Sequence, residues 1–192
     1  MSPASKIFVG TAAWAVPSAA GNLFSEGKSH LERYSGTLHG VEINTSFYRD
    51  HKPQTYEKWA QMTPAGFRFA VKLSRVFTHD QALVVEEEDL RRVLEAVMRL
   101  GDKLAVLLIQ LPPKLAFKEA IARQFFKDLR SIYQGSVVVE PRHKTWLSPG
   151  ARSLFEDYRL TKVIADPDPC PTPEGFPSEG GDVAYFRWHG SP

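Results

Sequence analysis

The chain has 192 residues, 43% of them hydrophobic, which suits one domain with a sizeable buried core. Its 24 basic and 22 acidic residues nearly balance, so binding to nucleic acid would need a local basic patch. One cysteine cannot form an intrachain disulfide, and no apolar run approaches the ~20 residues of a membrane span. The N-terminus also lacks a signal-peptide core. We therefore expect a single cytoplasmic domain over residues 1–192.

In the first half of the chain, short apolar strands alternate with amphipathic helices. A strand is predicted at 7–11, and a helix after Ser29, whose side chain fits a capping box. Residues 40–48 alternate apolar and polar side chains, which predicts a longer second strand. A short helix begins at Pro53, and residues 67–73 alternate again as a third strand. The pattern is that of repeated strand–helix units.

The second half continues the same alternation. Strands are predicted at 104–109, 137–140, 163–166 and 183–189. Helices are predicted at 86–100, around 121–132 and after Ser148, where Pro149 occupies the first helical position. Residues 167–182 contain five prolines and three glycines, which exclude a helix, so a long loop is expected there.

Repeated strand–helix units indicate a parallel sheet, and seven strands favour a barrel over an open doubly wound half-sheet. The chain has no Gly-x-Gly-x-x-Gly or Walker-type loop, which weakens the dinucleotide-binding and P-loop alternatives. We predict an α/β fold of the TIM-type (β/α) barrel, incomplete, with about seven parallel strands and without the last strand and helices. The two unpaired sheet edges would favour self-association.

Barrel enzymes carry their active residues at the carboxyl ends of the strands, and here most predicted strands end in polar side chains. As catalytic residues we predict Glu42, Glu140, Asp166 and His189. As substrate-binding residues we predict Asn44, Tyr48, Lys72, His79, Gln110, Arg142, His143 and Arg187. Lys72, Arg142 and Arg187 would surround an anionic ligand with charge-assisted donors.

Structural explanations remain open for several of these residues. Glu42 could form an ion pair with Lys72 on the adjacent strand, and Glu140 could orient Arg142, two residues along the chain. Asp166 precedes a proline and could start a turn. The carboxylates could also hold a divalent metal, but no His-x-His or HExxH cluster is present. No metal ligands are assigned, and the cofactor stays unknown.

Three functions follow from this set of residues. The first is an enzyme acting on an anionic, phosphate-containing substrate, such as a phosphoester or nucleic-acid hydrolase. The second is a sugar-directed isomerase or glycosidase with Glu42 and Glu140 as the working carboxylates. The third is a non-catalytic module that binds nucleic acid or a phosphorylated metabolite. No membrane partner is expected.

Several motifs occur in an order typical of a known family. They are residues 41–48, Trp59, 69–72, Thr78-His79, 110–113, 140–143 with Trp146, Asp166 and 185–190. On these motifs the chain resembles the YecE-like family, catalogued as a domain of unknown function. The resemblance implies a TIM-type barrel and, after the His189-Gly190 motif, a helix, a final strand and a last helix that this chain lacks. It implies no established activity.

Overall fold

The computed structural model describes residues 6–171 and 183–189 and is built around a parallel β-sheet. Six strands follow one another in the sheet in chain order. They are β1 (Gly10–Thr11), β2 (Gly40–Ile43), β3 (Arg68–Lys72), β4 (Leu104–Gln110), β5 (Val137–Glu140) and β6 (Leu160–Lys162). Two further strands, β7 (Ile164–Asp166) and β8 (Phe186–Trp188), pair in parallel with each other.

Helices connect most of the strands. They are α1 (His30–Ser35), α2 (Thr45–Tyr48), α3 (Pro53–Gln61), α4 (Glu87–Val97), α5 (Glu119–Ile132) and α6 (Pro149–Asp157). The shorter helical turns are Ser18–Leu23, Val76–Asp80, Met98–Lys103 and Lys144–Leu147. Two predicted helix starts are confirmed: the Ser29 and Ser148 hydroxyls accept hydrogen bonds from the Glu32 and Ala151 N–H groups. Among the described residues, every helix is too short or too polar to cross a lipid bilayer.

The two faces of the sheet bury different side chains. One face packs against α4, α5 and α6, where Leu94, Phe125 and Phe155 are among the buried residues. The opposite face carries a smaller apolar cluster of Ala70, Val106, Leu108, Val138 and Val163, against which Val183 and Tyr185 pack. Successive side chains alternate between the faces of a strand, so residues two positions beyond this apolar layer point the same way. Those residues include Lys72, Gln110 and Glu140.

The segment 160–166 joins the two sheets. The Val163 N–H donates to the Val139 carbonyl on β5 at 2.9 Å, and the next N–H, of Ile164, donates to the Tyr185 carbonyl before β8 at 2.9 Å. The segment therefore changes partners from β5 to the β8 chain within two residues. The α/β class and the parallel arrangement are confirmed, while closure of the sheet into a barrel stays a prediction.

Two strand predictions are wrong at their ends. The predicted strand 40–48 stops at Ile43, and Thr45–Tyr48 form α2 instead. The Ser46 hydroxyl lies 2.8 Å from the Ile43 carbonyl and 2.6 Å from the Lys72 carbonyl, so it fixes this turn against the end of β3. These contacts outweigh the β propensity of residues 45–48.

The predicted strand 7–11 contracts to Gly10–Thr11, which pairs on one side only, with β2. A Cβ atom at Gly10 would lie 2.0 Å from the Gly40 carbonyl oxygen, so this position needs glycine for close approach. Smaller shifts occur at 163–166, which contracts to β7, and at 183–189, which contracts to β8, while β6 at 160–162 was not predicted. Most of the predicted long loop, residues 172–182, lies outside the described residues.

Candidate functional site

Glu140, the last residue of β5, is the most heavily hydrogen-bonded carboxylate of the site. Its Oε1 atom accepts from Gln110 Nε2 at 2.9 Å and from Arg142 Nε and Nη2 at 3.0 and 2.8 Å. Its Oε2 atom accepts from Arg187 Nη1. Gln110 lies opposite Glu140 in the register of β4 and β5, which places its amide beside the carboxylate. Both carboxylate oxygens are therefore occupied by donors.

Arg187 on β8 links this carboxylate to Glu42 on β2. Its Nε and Nη2 atoms donate to Glu42 Oε2 and Oε1 at 3.0 and 2.9 Å, a two-point contact. The Tyr185 hydroxyl donates to the same Glu42 Oε2 atom at 2.9 Å. All three guanidinium nitrogens of Arg187 bond to carboxylates, so side chains from β2, β5 and β8 meet at one point.

The electrostatics fix the protonation of this group. Burial alone would raise the pKa of Glu140, but Arg187 and Arg142 lower it below the ordinary value. Burial would lower the pKa of Arg187, and contact with Glu42 and Glu140 raises it instead. Burial, together with the neighbouring Glu42 carboxylate, raises the pKa of the Tyr185 hydroxyl. Near neutral pH the Glu140–Arg187 contact is therefore an ion pair with no labile proton.

Lys72, at the end of β3, is the buried cation without a carboxylate partner among the described residues around this site. Its side chain is only 7% exposed, and Nζ lies 3.9 Å from the centroid of the Phe47 ring. The expected ion pair with Glu42 is not formed, because Arg187 occupies both Glu42 oxygens. Burial, with smaller effects from Arg187 and Arg142, lowers the pKa of Lys72 to about 8 against the opposing effect of Glu42 and Glu140.

Arg142 is the second cation that can face a ligand. Its side chain is 30% exposed, and it bonds Glu140 through Nε and Nη2. The third nitrogen, Nη1, has no hydrogen-bond partner in the part of the chain that the structure describes. Lys72 and Arg142 can therefore contribute donors to an anion, whereas the charge of Arg187 is already neutralised by Glu42 and Glu140.

Two polar residues predicted on β2 lie elsewhere because the strand ends at Ile43. Asn44 donates through Nδ2 to the Ala12 carbonyl at 3.1 Å, after β1, and its buried Oδ1 has no partner among the described residues. Tyr48, at the end of α2, is 72% exposed and packs edge-on against Phe47. Neither residue contacts the Glu42–Arg187–Glu140 group.

Two predicted histidines are held by neighbouring hydroxyls. His79 Nδ1 lies 2.8 Å from the Thr78 hydroxyl, and its ring packs edge-on against Phe47, the residue that also contacts Lys72. His143 Nδ1 lies 2.8 Å from the Thr145 hydroxyl and accepts from the Thr145 N–H at the start of a helical turn. His79 is thus next to Lys72, while His143 serves as a helix cap.

Asp166 and His189 lie at the ends of β7 and β8 and are exposed. The His189 N–H donates to the Asp166 carbonyl at 2.9 Å, so the backbones are adjacent. Neither side chain has a hydrogen bond or ion pair with the described residues. Among the described residues neither side chain is bonded to Glu42 or Glu140, so their predicted catalytic role stays a prediction.

The residue list predicted from sequence omits Tyr185, although it alternates with Arg187 on one face of the predicted strand 183–189. The alternation of Tyr185 and Arg187 along the strand could have identified Tyr185 from the sequence. It also omits Lys162 on β6, which is 1% exposed and donates to Asp168 Oδ2 at 2.8 Å and to the Val163 carbonyl at 3.1 Å. Across residues 6–171 and 183–189, no three His, Cys, Asp or Glu side chains are grouped as a metal site.

A family model described as "Protein of unknown function DUF72" matches residues 8–192. The "UPF0759 protein YecE" of Escherichia coli K12 is 26% identical over 144 residues, covering 75% of this chain and 51% of that protein. The "UPF0759 protein YunF" of Bacillus subtilis is 24% identical over 149 residues, covering 74% and 53%. The chain therefore spans about half the length of the curated relatives it matches.

Solved structures of the same family share the fold. A DUF72 family protein from Enterococcus faecalis superposes with a TM-score of 0.76 at 20% identity, covering 96% of this chain and 71% of that one. Another from Thermotoga maritima gives a TM-score of 0.70 at 23% identity, covering 95% and 74%. At such identities the likeness concerns the fold alone.

Proposed function

We propose that the chain, which belongs to the family described as "Protein of unknown function DUF72", is an enzyme acting on an anionic, phosphate-containing substrate. Phosphoester hydrolysis is the reaction class to test first. The observation that carries the proposal is Lys72, a buried residue whose amine forms no ion pair with a carboxylate among the described residues. A buried charge without a partner is costly, and such groups concentrate at functional sites.

The proposal extends to the shape of the protein, which we take to be a TIM-type barrel with the site at its open end. Support comes from Arg187 on β8, in the two-stranded sheet, which bonds Glu42 on β2, in the six-stranded sheet. The Tyr185 hydroxyl, just before β8, also bonds Glu42. A sheet that curves toward closure would bring the last strands of the chain beside β2 in this way.

Within the proposed site, some residues bind the phosphate and others position the residues that bind it. Lys72 and the free edge of Arg142 bind the phosphate oxygens, and Glu140 holds Arg142 in position while Gln110 orients Glu140. With a pKa of about 8, Lys72 is mostly protonated at neutral pH and can donate its proton to the leaving oxygen as water attacks phosphorus and the ester P–O bond breaks. The near-neutral net charge of +2 favours a small phosphoester over an extended nucleic acid.

The sugar-directed alternative is disfavoured by the pairing of its carboxylates. A glycosidase needs one protonated and one free carboxyl group. Here Glu140 is held ionised by Arg187 and Arg142, and Glu42 is bonded on both oxygens by Arg187. Neither can act as an acid without breaking the contacts that connect β2, β5 and β8.

The proposal is tested by titrating inorganic phosphate into the protein by calorimetry. We expect wild-type binding at pH 7 that weakens as the pH rises through about 8, where Lys72 loses its charge. Lys72→Met should lose most of the affinity and its pH dependence. Lys58→Met, at an exposed lysine on α3, should behave as wild type. Equal binding by wild type and Lys72→Met would overturn the assignment of Lys72.

Turnover separates an enzyme from a binding module. Hydrolysis of p-nitrophenyl phosphate would be followed with and without added Mg²⁺ or Mn²⁺, in wild type and in Lys72→Met. Hydrolysis lost in the variant supports the enzyme. Lys72-dependent phosphate binding without hydrolysis in any condition would instead favour the non-catalytic module.

A further inference from the structure

A cavity of about 340 Å³ lies between the chain segment after β3 and the segment after β4, outside the charged group described above. Its lining is mainly apolar and includes Leu83, Val84, Leu115, Ile121, Ala122 and Trp146. The Trp146 indole N–H is already bonded to the Leu115 carbonyl at 2.9 Å, so its ring presents an apolar surface. Cavities of about 150 Å³ already admit benzene, so this one has room for an aromatic ring.

The wall of the cavity is a loop held in a disfavoured backbone conformation. Ala82 and Leu83 both have positive φ angles, 51° and 70°, which L-residues rarely adopt. The turn is fixed by the Leu83 N–H, which donates to the Phe77 carbonyl at 2.8 Å, and by burial of the Leu83 side chain. The cavity is therefore a formed part of the fold, since several contacts hold its wall in this conformation.

His79 connects the cavity to Lys72. Its ring lines the cavity and also packs against Phe47 with centroids 4.9 Å apart. The Phe47 ring also contacts the Lys72 amine, which lies 3.9 Å from its centroid. Burial, followed by the charges of Lys72 and Arg75, lowers the pKa of His79, so the imidazole is neutral at pH 7 and forms an uncharged wall. A ligand in the cavity therefore meets an uncharged imidazole, and the Phe47 ring lies between that imidazole and the Lys72 amine.

The rim of the cavity is basic. Lys114 and Lys118 line it, both are exposed, and neither forms an ion pair with the described residues. Two unpaired lysines at the rim of an apolar cavity favour a ligand that combines an apolar body with negative charge.

We propose that this cavity binds an apolar group, about one aromatic ring in size, of the same phosphate-containing substrate whose anion lies at Lys72. The inference rests on the proposed function and names its substrate class, an aryl phosphoester or a compound of similar shape. Lys114 and Lys118 attract the anion toward the site, and the ring enters between the walls formed by Leu83 and Trp146.

The test compares phenyl phosphate with inorganic phosphate by calorimetry. Burying the ring should make phenyl phosphate bind at least about tenfold more tightly to the wild type. Ala116→Phe, which fills the cavity from its lining, should reduce that ratio to about one while leaving inorganic phosphate binding unchanged. Ala120→Phe is the matched control, an exposed alanine four positions away, and should keep the ratio.

Val84→Trp, on the opposite wall, is a second filling variant in case Ala116→Phe unfolds. A wild-type ratio near one, with phosphate binding that still depends on Lys72, would overturn the cavity assignment and leave the proposed function intact. A large ratio that both folded filling variants retain would also overturn it. If neither anion binds, both proposals are overturned.

Discussion

Lys72 on β3 and Lys162 on β6 are both buried lysines at the carboxyl ends of parallel strands, yet their surroundings differ. Lys162 donates to Asp168 and to a backbone carbonyl, so its charge is compensated. Lys72 has only the face of the Phe47 ring against its amine and no carboxylate partner in the described residues. Burial alone therefore does not mark a functional lysine, and the informative feature is a buried charge whose partners are missing.

The same contrast exists inside the site. Arg187 directs all its nitrogens to Glu42 and Glu140, while Arg142 keeps one nitrogen unbonded. The paired charges connect strands, and the unpaired ones are available to a ligand. Four substitutions test whether paired and unpaired charges differ in this way.

Arg187→Met should have the largest effect on stability. It leaves Glu42 and Glu140 buried without their shared cation, and removing one partner of such a pair costs about 3–5 kcal/mol. Urea unfolding at pH 7 measures the loss. Arg92→Met is the control, because Arg92 is 60% exposed and its pair with Asp50 should contribute less than about 1 kcal/mol. Similar losses in the two variants would refute the distinction.

Lys162→Met should have the second-largest effect on stability. It leaves Asp168, whose side chain is 18% exposed, without the amine that it accepts from, and we expect a loss of about 2–4 kcal/mol. The matched control is Lys127→Met on α5, where the lysine is exposed and should matter little. Urea unfolding again provides the measurement, and a neutral Lys162→Met would show that the Asp168 pair does not stabilise the fold.

Lys72→Met should raise stability at pH 7, by about 1–3 kcal/mol, because methionine removes an uncompensated buried charge. The folded pKa of Lys72, about 8, lies below the unfolded value of about 10.4, so wild-type stability rises between these pH values as the unfolded chain alone keeps the proton. The advantage of the variant should therefore shrink as the pH increases to 10. Unfolding curves at pH 7 and 10 would contradict this if the difference stayed constant.

Asp166→Asn should have the smallest effect. The side chain is exposed and has no ion pair with the described residues, so we expect a stability change within about 0.5 kcal/mol. Phosphate binding should also remain as in the wild type. A marked loss of binding would instead support the predicted role of Asp166 in the site.

The sequence predicted secondary structure best where a segment is fully apolar or begins with a capping residue. The strands at β4 and β5 are apolar on both faces, and the helix starts at Ser29 and Ser148 carry local capping signals, so each was found. The end of β2 was missed because the turn at 45–48 depends on the Ser46 hydroxyl contacting a carbonyl on another strand. A contact between segments far apart in the chain produces no repeating pattern of apolar and polar residues that could reveal it.

The sequence indicated where the polar residues gather, but it did not indicate which cation pairs with which carboxylate. Parallel strands bring their carboxyl ends to one edge, which is why Glu42, Lys72, Gln110 and Glu140 could be placed together from sequence. Whether Glu42 pairs with Lys72 or with Arg187 depends on where β8 lies relative to β2, and the two strands belong to different sheets, so strand order alone cannot predict it. Lys72 has no ion pair with Glu42 because Arg187 bonds both Glu42 oxygens.

The bond between Glu42 and Arg187 also has a consequence for synthesis. The two residues are 145 positions apart, so a ribosome adding about 5–20 residues per second makes the carboxylate roughly ten seconds before its partner. During that interval, burying the unpaired Glu42 carboxylate would cost several kcal/mol of free energy, so we expect the end of β2 to remain hydrated. The group formed by Glu42, Glu140 and Arg187 is therefore among the last parts of the molecule to form, and in a nascent chain lacking β8 both carboxylates should still be open to solvent.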